Sequence, residues 1–454
     1  MQIILSIYKC RGESQHMSIK SSLEIVQKLT QLYVTGFSLN SIYNSTYLKA
    51  LQEASSIRSK PTEENNYYDE WLSFSAKELE VKLKSREFTS LLSQYIYSLV
   101  ELRTILIELG YPVYYLESLF YFYNRNLVSF APMRKVFGLA PFEVVSKKGK
   151  TRLLHYLSSP KDSSNNHAPL LILYAPINRF HILDISQDKS VVRKLMSEGL
   201  DVYLLDWGYP SWEDSSLSLD DYVNYVQDAV QSIKNIACVD KISMLGYCWG
   251  GIIALIYAAI KNENLRSLTL MAAPIDSSKD NTIVANWARS IDADRIIHEF
   301  GYIDGMALDV IFIMRNPTKY LFDRYLKFFS RLHDEQYVNN FNALQRWLSD
   351  TPPIPGNLYL KIINDCYKKN LLVTNTMQFD GESIDLSKIT VPLLTIVAED
   401  DDLVSPESTL ALARYVSSKD KLSLAIPGDH ISLCISTMAH KKLWPEAAKW
   451  ILSR

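Results

Sequence analysis

From about residue 128 onward the chain alternates short, almost unbroken apolar runs with longer stretches of helical period. The runs at 152–157, 170–174, 202–205, 242–245, 267–271, 393–397 and 422–426 are four to six residues long and rich in Leu, Ile and Val, the pattern of strands covered on both faces. Helical spacing separates them, so a mostly parallel α/β sheet is expected. The alternation fails between about 276 and 388, where helical spacing carries Trp287, Phe312, Phe328, Phe329 and Trp347. A helical block set between two strands of one sheet reads as a cap over the active site. Ahead of residue 128 the texture is helical, broken by a polar loop at 59–66. There Phe88, Leu92, Tyr95, Leu99, Leu102, Leu106 and Leu109 recur at alternating steps of four and three until Gly110-Tyr111-Pro112 ends the run. That spacing makes one apolar seam on a long helix, suited either to packing on the main domain or to pairing with a partner helix. The expected organisation is an N-terminal helical region over 1–127, a first core segment over 128–280, a helical cap over 281–388 and a second core segment over 389–454.

Composition narrows the class without naming a chemistry. With 47% hydrophobic and 22% charged residues in 454, the chain is ordinary globular material. A net charge of -2 and the lack of a basic run exclude the electrostatic footprint of a nucleic-acid binder. Five scattered cysteines, odd in number and without a CxxC pair, point to a reducing, cytoplasmic setting and to no metal site. The apolar stretch at 2–7 is too short for a secretory segment, and its basic residues follow rather than precede it. No apolar run approaches the roughly 18 residues of a membrane span, so no transmembrane segment is expected.

The chemistry concentrates at Gly246-Tyr247-Cys248-Trp249-Gly250, where a buried strand runs into an apolar, Ala-rich helix. This is the spacing of a nucleophile elbow with Cys in the nucleophile position. Glycines are needed on either side because the bend brings helix and strand too close for side chains. Cys248 would sit at a helix N-terminus, where the dipole favours a thiolate and the Trp249 backbone N–H can receive an oxyanion. Taken alone, the motif also fits a structural thiol. In such sheets acid and base follow the nucleophile in that order, at strand C-terminal ends. After 393–397 comes Glu399-Asp400-Asp401-Asp402, and after 422–426 comes Pro427-Gly428-Asp429-His430. His430 is therefore the candidate base and Asp401 the candidate acid, with Asp400 the alternative. Two weaker patterns carry no chemistry. Gly149-Lys150-Thr151 mimics the end of a phosphate loop but lacks its upstream glycine, and His430 with Cys434 has metal-like spacing but no further ligands.

These residues resemble a known family. The elbow, the Tyr174-Ala175-Pro176-Ile177-Asn178-Arg179 segment, Asp206-Trp207-Gly208-Tyr209-Pro210, Leu219-Asp220-Asp221-Tyr222 and the cap stretches Phe341-Asn342-Ala343-Leu344-Gln345-Arg346-Trp347 and Asp350-Thr351-Pro352 are similar to poly(3-hydroxyalkanoate) synthases, especially the class III catalytic subunit. The resemblance covers about 128–454 and implies an α/β-hydrolase fold and an acyltransferase that polymerises 3-hydroxyacyl groups, 3-hydroxybutyryl above all. It implies that Cys248 carries the growing chain, that His430 activates it and that Asp401 is the family's aspartate. Coenzyme A would be part of the substrate and a product, with no resident cofactor. The second oxyanion donor would come from backbone at Ile177 or Asn178, and Arg179 is a candidate for coenzyme A phosphates, with a structural ion pair as the alternative. The expected partners are the polyester granule surface in the cytoplasm and either a second copy or an accessory subunit. The segment around Glu70-Trp71-Leu72 and 85–112 weakly resembles that accessory subunit. Two residues depart from the family pattern, Asp402 where His commonly follows the acid and Asp429 where Gly commonly precedes the base. A cysteine thioesterase of the same fold and a non-catalytic granule-assembly subunit are the rival readings.

Overall fold

The computed structural model describes residues 139–157, 168–316, 319–320, 335–348 and 350–454, with Arg86, Ser90, Gln94 and Arg324 as single positions. The chain divides into two compact units, Met1–Ala131 and Pro132–Arg454, and the sheet, its helices and the cap belong to the second. The apolar seam at 88–109, the polar loop at 59–66 and the segment similar to an accessory subunit lie outside the described residues.

Eight strands form one sheet: β1 (Phe142–Lys148), β2 (Thr151–Tyr156), β3 (Ala168–Leu173), β4 (Leu200–Asp206), β5 (Ile242–Tyr247), β6 (Leu265–Met271), β7 (Leu393–Ala398) and β8 (Lys421–Ile426). Their spatial order is β1-β2-β4-β3-β5-β6-β7-β8. The pairings β1 to β2 and β2 to β4 are antiparallel, and every later pairing is parallel. All the seven expected strand runs are strands. The additional one, β1, has the alternating and largely exposed pattern of an edge, with Val144 open to solvent, so no continuous apolar run announces it.

Strands β3, β5 and β7 are buried at every position because helices cover both faces of the sheet. Helix α1 (Val191–Ser197) packs under β4, α2 (Leu219–Ala237) is fixed at its start by a reciprocal Ser218–Asp221 capping box, and α3 (Trp249–Ile260) is buried from Trp249 through Ala259. A helix apolar all round must be enclosed, and α3 runs through the middle of the molecule. Between β6 and β7 the chain leaves the sheet for the helical cap, which includes α4 (Ile283–Ser290), α5 (Ala293–Phe300), α6 (Gly305–Met314), α7 (Glu335–Leu348) and α8 (Gly356–Lys361). Among the described residues no helix is long and apolar enough to cross a membrane.

Because β3, β5, β7 and β8 run parallel, the loops after them emerge along one edge of the sheet, which is where this topology gathers chemistry. The core therefore serves as a register for that edge. Ile172 in β3 is fully buried beside β5. Ile172→Ala should lower the unfolding free energy by about 2–5 kcal/mol. The check is a urea midpoint that falls while the slope of the transition stays unchanged.

Candidate active site

One residue, Cys248, separates the end of β5 from the start of α3, and it turns the chain with φ 54° and ψ -124°. A left-handed, non-glycine backbone of this kind persists only when its surroundings over-determine it. Here the Cys248 N–H donates to Met271 O at 2.9 Å, and its carbonyl accepts from Gly251 N at 2.8 Å. A Cβ on Gly246 would come within 2.6 Å of Gly251 Cα, and one on Gly250 would overlap the carbonyl oxygens of Leu173 and Tyr174. The bend thus requires glycine at both places, and the second contact brings the loop after β3 against the elbow. Cys248 itself is half-buried.

His430 lies in the loop after β8 and is buried, its ring stacked on Tyr247 with centroids 4.9 Å apart. Tyr247 Oη donates to the His430 carbonyl at 3.2 Å, tying the loop to the end of β5. The ring's Nδ1 meets Asp401 Oδ2 at 2.7 Å, and the Cys248 side chain is near enough to the same imidazole to act on it electrostatically. Burial alone would lower the basicity of this ring. The charges of Asp401 and Cys248, with the hydrogen bond to Asp401, reverse that and push His430 up to about 10. Asp401 is itself held, since its Oδ1 accepts from the N–H groups of Leu403 at 2.9 Å and Val404 at 3.0 Å. Asp400 instead turns its carboxylate to Gly428 N at 3.2 Å and stays exposed. Of the two candidate acids, only Asp401 meets the ring.

Trp249 is the first residue of α3, so its N–H has no intrahelical acceptor and faces the same end as the sulfur. Its indole Nε1 donates to Tyr367 Oη at 3.3 Å. Ile177 and Asn178 lie in the loop after β3. Asn178 is buried at φ 61°, and its side-chain amide donates to Thr351 Oγ1, which donates in turn to Asp309. Burial pushes Asp309 well above the usual carboxylate range. Arg179 adopts its structural alternative, with Nη2 3.6 Å from Asp206 and Nη1 bonded to Gly208 O. Lys150, from the phosphate-loop mimic, sits in the turn between β1 and β2 and pairs with Asp214 at 2.6 Å. Cys434 is fully buried, which pushes its thiol up to about 12. Among the described residues no group of three metal-ligating side chains occurs.

Several residues at the site receive no role from the sequence, Thr351 standing there only within a family-like stretch. Tyr367, Thr351 with Asp309, and the pair Arg315 and Lys319 all come from the cap. Tyr367 lies in a short π-helix (Ile362–Lys368), a distortion common at functional sites but without an apolar period to betray it. Lys319 binds Asp429 at 2.7 Å and Arg315 faces Asp402 at 3.2 Å. The only signal for them in the sequence is the pair of acids at positions where the family pattern has none.

Comparison with known proteins agrees with this architecture. A family model described as the alpha/beta hydrolase fold matches residues 181–434. The poly(3-hydroxyalkanoate) polymerase subunit PhaC of Haloferax mediterranei is 37% identical over 320 residues, which cover 70% of this chain and 65% of that protein, a little under two thirds of its length. The protein of the same name from Allochromatium vinosum is 34% identical over 318 residues, covering 70% of this chain and 90% of its own. Among solved structures, a hydrolase from Pseudomonas aeruginosa PA01 aligns with a TM-score of 0.45 at 13% identity, over 69% of this chain and 98% of its own. An eight-stranded, mostly parallel sheet with a cysteine elbow and relatives at this level of identity lead to one conclusion: the chain belongs to the poly(3-hydroxyalkanoate) polymerase PhaC family, on the alpha/beta hydrolase fold.

Proposed function

We propose that the chain is the polymerising subunit of a polyhydroxyalkanoate synthase, which joins 3-hydroxyacyl groups from coenzyme A thioesters, 3-hydroxybutyryl-CoA first among them, into a polyester. The observation that carries this reading is the 2.7 Å contact of His430 with Asp401, gathered with the Cys248 elbow at the strand ends of a family member. Cys248 gives its thiol proton to His430 and attacks the thioester carbonyl, the carbon–sulfur bond to coenzyme A breaks, and His430 passes that proton to the departing thiolate. The acyl group now sits on Cys248 as a second thioester, so its activation is retained. The hydroxyl of the next hydroxyacyl-CoA then attacks this acyl-cysteine while His430 takes its proton and passes it to the leaving sulfur, and the lengthened chain, still a coenzyme A thioester, returns to Cys248 by the first step. A serine would trap the chain as a more stable ester. Asp401 fixes the tautomer of the ring and steadies the imidazolium. The backbone N–H of Trp249, with one from Ile177 or Asn178, receives the oxyanion of both tetrahedral intermediates. Nothing in these steps requires a group beyond the side chains named and coenzyme A as leaving group. The product is insoluble, so the enzyme works at a granule surface in the cytoplasm. Since its relatives are named as subunits, a second subunit or a second copy completes the assembly.

The test is purified full-length protein with 3-hydroxybutyryl-CoA, following coenzyme A release and insoluble polyester together. The wild type should give both, and Cys248→Ala should lose both by a factor on the order of 10⁴ or more. Full activity in that variant would remove the nucleophile from the scheme. Coenzyme A release with free acid and no polymer would instead favour a thioesterase.

A second outcome concerns the ring. Burial opposes the charge on His430 and the Asp401 carboxylate is the first contribution in its favour, so Asp401→Asn should move the ring from about 10 toward the ordinary 6.5. Proton NMR titration of the imidazole reads this directly. The folded-state value lies above the unfolded one, so the stabilisation is complete below about pH 6.5 and disappears as pH rises through about 10. The stability difference between wild type and Asp401→Asn should accordingly narrow across that window. An imidazole that titrates unchanged in the variant would show that Asp401 does not govern the base.

A further inference from the structure

The two acids that depart from the family pattern flank the acid and base loops in a particular way: Asp402 follows Asp401, and Asp429 precedes His430. Two further carboxylates thereby stand next in the chain to the residue that meets the ring and to the ring itself, and like charges at close range repel. The cap supplies the compensation. Lys319 Nζ lies 2.7 Å from Asp429 Oδ2 and 3.8 Å from Asp402 Oδ2, so one ammonium bridges both loops. Arg315 Nε stands 3.2 Å from the other oxygen of Asp402. Arg315 and Lys319 are also organised with respect to each other. The Arg315 guanidinium covers the Tyr320 ring at 4.2 Å and bonds its hydroxyl, Tyr320 Oη donates to Asp402 at 3.4 Å, and Lys319 N is capped by Asn316 Oδ1 at 3.1 Å. On the other side, Asp429 is pinned by Ser432, whose N–H and hydroxyl donate to its Oδ1 at 3.1 and 2.7 Å.

We propose that Lys319, seconded by Arg315, is a positioning residue that staples the loops of Asp401 and His430 to one another and to the cap, so that seating of the cap and alignment of acid with base are a single event. The proposal rests on the reading of Asp401 and His430 as acid and base. An isolated exposed ion pair would be worth little, but here two cations and two carboxylates share contacts and Arg315 is buried, which is the arrangement in which such pairs act together. The burial of Asp429 opposes its charge, yet Lys319 draws its carboxyl down to about 2, in keeping with a contact that holds throughout the working pH range. Because Lys319, Asp402 and Asp429 remain partly open to water, added salt should loosen the staple.

The experiment compares wild type, Lys319→Met, Lys319→Arg and the charge exchange Lys319→Asp with Asp429→Lys, all as full-length protein with thermal unfolding recorded in parallel. Two quantities are read: polymerisation kinetics, and the rate at which iodoacetamide alkylates Cys248, followed by peptide mass spectrometry. Lys319→Met should reduce kcat about 10- to 100-fold with a smaller change in KM, as expected when reacting groups lose alignment. Its Cys248 should alkylate faster, Lys319→Arg should retain most of the wild-type behaviour, and the exchange should recover part of it. Wild-type activity should decline between about 0.05 and 1 M salt while Lys319→Met responds less. If Lys319→Met does not fold, Asp429→Asn removes the same contact and should give the same pattern. Wild-type kcat and alkylation rate in a folded Lys319→Met or Asp429→Asn would overturn the proposal. Alkylation needs no polymerase activity, so a wild type that makes no polymer but whose Cys248 reactivity depends on Lys319 would sink the polymerase reading and leave the staple standing.

Discussion

The backbone at Cys248 is held in a conformation that an L-residue ordinarily avoids, with φ 54° and ψ -124°, and the site depends on that bend being kept. Nothing local favours it. It is imposed by β5 on one side and α3 on the other, and neither element can move, because every residue of β5 is buried and α3 is enclosed almost throughout. The hydrogen bond from Cys248 N to Met271 O ties the bend to the adjacent strand β6, and the glycines at 246 and 250 allow the approach that this geometry demands. The bend puts the sulfur at the positive end of a helix and leaves the next N–H unclaimed. Relaxing φ at this one residue would therefore disturb the direction of the thiol and that of the Trp249 N–H together.

The second constraint is electrostatic. A buried imidazole pays for its charge in lost hydration, and the Asp401 carboxylate beside this one favours the charged form against that cost. Asp401 can be such a partner without becoming a liability, since two backbone N–H groups satisfy the oxygen that His430 leaves free. Tyr247 adds the stacking face and holds the loop by its carbonyl. Further carboxylates beside this pair would repel Asp401 if left bare. That is the physical reason the cations of the cap belong to the same balance as the dyad itself.

How much of this is legible in the sequence depends on the range of the interactions. The inner strands are recognisable because helices cover both faces of the sheet, which leaves an unbroken apolar run in each. β1 is not, because it lies at the edge, where Glu143, Lys147 and Lys148 interrupt the run. The elbow is legible because its requirements are local: strand, glycine, nucleophile, glycine and helix succeed one another within a dozen residues. The choice between Asp400 and Asp401 is not, since adjacent carboxylates point to different sides of a turn and only the folded loop decides which meets Nδ1. The cap contacts are least legible. Thr351 reaches Asn178 and Tyr367 reaches Trp249 across more than a hundred residues of chain, and no periodicity in either segment encodes the meeting.

Taken together, those contacts change what the cap is for. The loop after β3 is held through Asn178 and Thr351, the start of α3 through Trp249 and Tyr367, and the loops of Asp401 and His430 through Lys319 and Arg315. All of these links are polar, whereas the sheet beneath is held by apolar burial. Apolar burial on the scale of this core is lost only in global unfolding, whereas of the cap links the Asn178–Thr351 and Trp249–Tyr367 bonds are buried and the Lys319 pairs are partly open to water. The sheet keeps the bend at Cys248 fixed, and the cap adds polar contacts to the loops gathered around it.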